Sequence, residues 1–81
     1  MIYKLYRKQD YPNESFATAK TINNARKKAM MENKKVIITR EGRSSTLCGI
    51  VDRNEDGFFY NNLEKKIVQW LKKDGSAYIY R

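Results

Sequence analysis

TINNARKKAMMENKKVIITR, Thr21 to Arg40, contains a change of hydrophobic period that decides the fold class. In its first half Ile22, Ala25, Ala29 and Met30 recur three or four residues apart, while Lys27, Lys28 and Met31 fall on the other side. Thr21 precedes them as an N-cap, so the spacing predicts a helix over about 21–33. The two alanines let such a helix lie close to a sheet. Asn33 and Lys34-Lys35 end it, with the lysines at the negative end of the helix dipole. The second half is different: Val36, Ile37 and Ile38 follow one another without a polar break, which predicts a well-buried strand over Lys35 to Arg40. A helix running into a buried strand predicts an α+β domain, a small antiparallel β-sheet with the helix packed on one face.

Outward from this stretch the strand signals continue. Upstream, Ile2 to Lys8 alternates large and polar residues and reads as a strand. Asp10 to Asn13 carries turn chemistry around Pro12, and Ser15 to Lys20 returns as a second strand. Downstream, Glu41 to Ser45 is a loop and Leu47 to Asp52 a strand. Asn54-Glu55-Asp56-Gly57 is a hairpin turn into Phe58-Phe59-Tyr60. Residues 63–73 have two readings. Asn62 caps a second helix with Leu63, Ile67, Trp70 and Leu71 on one face, or Lys66 to Lys72 is a strand forming an extra hairpin through Asp74-Gly75 with Ala77 to Arg81. The spacing slightly favours the helix.

The chain of 81 residues, 41% hydrophobic and 32% charged, predicts one folded domain, with Trp70, Phe16, Phe58, Phe59 and several of six tyrosines in its core. The single cysteine, Cys48, lies in the apolar run Leu47 to Val51 with no disulfide partner. It reads as buried filler in a reducing cytoplasm. No run approaches the ~20 apolar residues of a membrane span, and Met1 leads directly into strand sequence. The expectation is a cytoplasmic, unprocessed chain with no membrane contact.

Catalytic signals are sparse. The chain has no histidine, the commonest general base and transition-metal ligand. One cysteine and no histidine cannot build a zinc site. Asp52 to Gly57 has the oxygens of a calcium loop but not its spacing or closing glutamate, and no glycine-rich phosphate loop is present. No cofactor, metal or catalytic residue is assigned on this reading. A histidine-free ribonuclease of the small toxin type would use tyrosine, arginine and lysine to stabilise a phosphorane-like transition state, and Tyr78, Tyr80 and Arg81 are the candidates for it, though their spacing is not diagnostic.

Charge is the strongest functional signal: 17 Lys and Arg stand against 9 Asp and Glu, a net charge of +8. Such an excess on a small body attracts polyanions. The cations cluster as Arg7-Lys8, Arg26-Lys27-Lys28, Lys34-Lys35, Lys65-Lys66 and Lys72-Lys73. Of these Arg26, Lys27, Lys28, Lys34, Lys35, Lys65, Lys66, Lys72 and Lys73 are the candidate phosphate contacts. Tyr78 and Tyr80 are the candidate stacking residues, joined by Tyr3 and Tyr6 if the terminal strands pair. The expected partner is nucleic acid, RNA or DNA, held through its backbone. The alternatives are an acidic protein partner met by the same surface, which would make the chain an interaction or accessory module, or the ribonuclease.

From Lys35 onward the order of elements, and the run Arg-Ser-Ser-Thr-Leu-Cys-Gly-Ile-Val-Asp-Arg-Asn-Glu over Arg43 to Glu55, resembles the glycine-centred second strand of Sm-like and SH3-like small barrels. The likeness covers about half the chain. It implies RNA or protein binding and a strand in place of the helix over Leu63 to Lys73.

Overall fold

The computed structural model describes residues 1–32 and 34–78. Seven strands, β1 (Ile2–Arg7), β2 (Ala17–Ala19), β3 (Val36–Glu41), β4 (Ser45–Asn54), β5 (Gly57–Asn62), β6 (Ile67–Leu71) and β7 (Ala77–Tyr78), form one antiparallel sheet in the order β2-β1-β3-β4-β5-β6-β7. One helix, α1 (Ile22–Met31), crosses a single face of it. The α+β class and the helix on one face are as expected.

Helix α1 starts where its cap chemistry places it: the Thr21 hydroxyl accepts from the Asn24 backbone N–H at 3.2 Å. Ala25 and Ala29 are completely buried and bring the helix backbone close to the strands, with Ile22 and Met30 half-buried beside them. Under them lie Leu5 of β1, Val36 and Ile38 of β3, Cys48 and Val51 of β4, and Tyr60 of β5. Gly49 makes room for that tyrosine: a Cβ there would sit 2.5 Å from the Tyr60 ring. The β4–β5 hairpin turns at Glu55-Asp56, with Asn54 opposite Gly57 and Gly57 at φ +134°.

Residues 63–73 correct the slight preference for a second helix. Asn62 does act as a cap, its side-chain oxygen accepting from the Lys65 N–H at 3.2 Å, but only one turn forms. Lys66 then takes φ +56°, which a helix cannot continue through, and Ile67 to Leu71 pairs with β5 as β6. β-branched Ile67 and Val68, and Trp70 opposite Phe59, favour that pairing. The extra hairpin to β7 follows. The condition for Tyr3 and Tyr6 to join Tyr78, pairing of the terminal strands, is not met, because β1 and β7 are separated by β3, β4, β5 and β6. Nor does β2 pair with β7 to close a barrel among the described residues.

Candidate nucleic-acid interface

The outer face of α1 and the β6–β7 turn meet along Lys27. Gly75, in that turn, is buried against the helix at φ +86°, and a Cβ there would collide with the Asn23 carbonyl. Only glycine permits this approach, which sets Lys72 and Lys73 beside Lys27. Arg26 secures it from within. Its guanidinium donates to the Gly75 carbonyl at 2.8 Å and to Asn23 Oδ1, and lies 5.2 Å from the centre of the Tyr60 ring.

Two shallow concavities flank the helix, and Lys27 and Met31 line both. One, of about 580 Å³, runs between α1 and β2 past Lys20, Asn24 and Lys28. The other, about 300 Å³, lies between α1 and the β6–β7 turn, past Lys72 and Lys73. Five lysines, Lys20, Lys27, Lys28, Lys72 and Lys73, are thereby gathered on one side. The four ion pairs among the described residues are Lys4–Glu41, Arg7–Glu32, Lys35–Asp52 and Arg40–Glu64, and none engages these five. Asp74 is turned into its own loop, accepting from the Ser76 N–H at 2.9 Å and hydroxyl at 2.6 Å. Those bonds hold its carboxyl below the ordinary range. Lys28 Nζ donates to the Thr18 carbonyl and Asp74 lies within electrostatic reach of Lys72, but no carboxylate forms an ion pair with any of the five among the described residues, so this side carries net positive charge.

The other candidates go elsewhere. Arg26 is only 8% exposed and its hydrogen bonds are internal, so it departs from the expected phosphate contact. Burial lowers its pKa, partly offset by the nearby Tyr60 and Tyr3, but an arginine stays charged. Lys34 is exposed beyond the end of α1, and Lys35 pairs with Asp52 at 3.6 Å. Lys65 and Lys66 occupy the β5–β6 turn. Lys65 lines a polar cavity of about 250 Å³ with Arg26, Arg40 and Glu64, where Gln69 Oε1 is buried without a hydrogen-bond partner. Tyr78 sits on β7 and points to the sheet face opposite α1, as its partner Trp70 does. Tyr80 and Arg81 lie outside the described residues.

Comparison with known protein families, curated proteins and solved structures finds no match.

Lys20 was not singled out by the sequence, because it stands alone before Thr21 and only the β2–α1 corner brings it to Lys27 and Lys28. Cys48 is buried and bonds weakly to the Thr46 carbonyl at 3.8 Å. Burial first, then the Glu64 carboxylate, raises its pKa, which leaves it a poor nucleophile. Among the described residues no group of three or more acidic or cysteine side chains is placed to hold a metal ion, and no helix is long and apolar enough to cross a membrane.

Proposed function

We propose that this chain is a nucleic-acid-binding module that acts by binding rather than catalysis and engages the phosphate backbone through Lys20, Lys27, Lys28, Lys72 and Lys73. The observation that carries the reading is the convergence of lysines from three separate parts of the sequence onto the outer side of α1, none of them in an ion pair among the described residues. Lysine ammonium groups hold phosphates as point charges and carry no base sequence information, so the module binds backbone before bases. A net charge of +8 steers the encounter. The single unpaired cysteine, Cys48, suits a cytoplasmic setting.

The test is fluorescence anisotropy of labelled duplex DNA and single-stranded RNA at low and near-physiological salt, with RNA integrity checked afterwards. Binding is expected to weaken steeply with salt. The log–log slope is expected to fall by about one unit for each lysine removed from the five. Salt-independent binding, or a slope unchanged in Lys27→Ala and Lys73→Ala, overturns the reading. An acidic protein partner is the second reading, favoured by Met31, which is 80% exposed among the same lysines and would add an apolar contact.

A further inference from the structure

Among the described residues no helix lies on the sheet face away from α1, and three of that face's aromatic residues stand in one row. Tyr60 and Leu71 pack into the helix-side core, so by the alternation of strand side chains their neighbours Phe59 and Trp70 point the other way. Phe59 is directly opposite Trp70, and Trp70 directly opposite Tyr78, so the three rings cross β5, β6 and β7 at successive strand spacings of about 4.8 Å. The Phe59 and Trp70 rings meet edge to face with centroids 6.1 Å apart. Tyr78 is 44% exposed, and Val68, on the same face, is 54% exposed. At the other end of this face Tyr11 covers Tyr6 in an edge-to-face contact at 5.3 Å, so the open part is the β5–β7 end.

That open end adjoins the lysine cluster. Lys72 lies with its ammonium 5.6 Å from the Tyr78 ring centre and also lines the concavity shared with Lys27 and Lys73. A path of cationic and then aromatic groups therefore runs from α1 around the β6–β7 turn onto the sheet face opposite α1, where Phe59 and Trp70 are half-buried and Tyr78 is exposed.

We infer that Phe59, Trp70 and Tyr78 form a stacking platform for the bases of a single-stranded nucleic acid whose phosphates are held at Lys72 and Lys73. The inference rests on the phosphate-binding reading and adds to it a preference for single strands. Bases in a duplex are stacked on each other and cannot lie on the rings, whereas unpaired bases present a π-face to each. Continuity with lysines that form no ion pair among the described residues selects this occupant over a second copy of the chain, which would bring another +8 to the same edge.

Trp70 is the sole tryptophan, so its emission reports on the platform directly. The experiment titrates the full chain with oligo-dT, with a DNA duplex of equal length and with heparin, and follows tryptophan emission and anisotropy together. The expected result is that all three bind and only oligo-dT quenches Trp70. Tyr78→Ala should weaken oligo-dT binding about tenfold while leaving the duplex unaffected, and Tyr78→Phe should retain wild-type affinity. Equal binding of the three probes without quenching overturns the platform and leaves the phosphate reading intact. Failure of all three to bind overturns both. A loss in Tyr78→Phe equal to that in Tyr78→Ala also overturns stacking, and a dimer by sedimentation equilibrium with no oligo-dT quenching assigns the face to a second copy.

Discussion

Arg26 shows why a basic residue type does not identify a binding residue. It sits in the Arg26-Lys27-Lys28 triple, yet one step around the helix separates a buried tether from two solvent-facing lysines. Arg26→Met is expected to cost about 2–3 kcal/mol, since it leaves the Gly75 carbonyl without its charged donor. Duplex binding by the folded fraction should keep its salt slope; chemical denaturation and anisotropy on the same variant check both. Tyr60 and Cys48 set the response to alkali. Burial is the first cause in both, and it pushes both pKa values up. The unfolded chain therefore loses these protons before the folded one does. Their stabilising effect is complete below the ordinary thiol and phenol values, about 8.5 and 10, and is lost as pH rises through them toward the folded values. Thermal melts should show Tm falling above about pH 9, and Tyr60→Phe with Cys48→Ser should flatten that fall relative to wild type.

At the level of elements, α1 is the part most legible from the chain. Thr21, the alanines and the exposed lysines each occupy the place their spacing predicts, and Thr21→Ala is expected to cost about 1 kcal/mol by urea unfolding. The β4–β5 hairpin was readable from alternation and its Asp-Gly turn, and the β1–β2 hairpin less so, because β2 is only three residues long. The stretch over 63–73 was not, because Leu63, Ile67, Trp70 and Leu71 suit one helix face as well as they suit a turn followed by a strand. Cross-strand partners decide between the two, and those become neighbours only when β5 is in place. Lys66 bears the cost of that choice in its left-handed backbone. Lys66→Gly should thus be neutral or stabilising by about 0.5 kcal/mol, the relief of about 1–2 kcal/mol of steric cost being partly offset by unfolded-chain entropy. A clear loss of stability in that variant would show that the turn depends on the lysine side chain.

Across the whole molecule, the proposed phosphate site depends on how the β6–β7 turn is placed. The β6–β7 turn returns to α1 and closes the lysine cluster, and Gly75 is the residue that lets it do so. Gly75→Ala is expected to weaken duplex binding as well as stability, by moving Lys72 and Lys73 away from Lys27. Anisotropy on protein shown by circular dichroism to be folded checks this; unchanged affinity would separate the turn from the site. The α+β class, the helix and its cap, most of the strands, the lack of histidine and the excess of positive charge were all legible in the chain. Each of these depends on residue type or on spacing within one segment. That residues 67–71 pair as a strand, that Arg26 turns inward, and that Lys20, Lys27, Lys28, Lys72 and Lys73 share a side emerged from packing alone. Those outcomes depend on distances between residues far apart in the chain, and local periodicity carries no record of such distances.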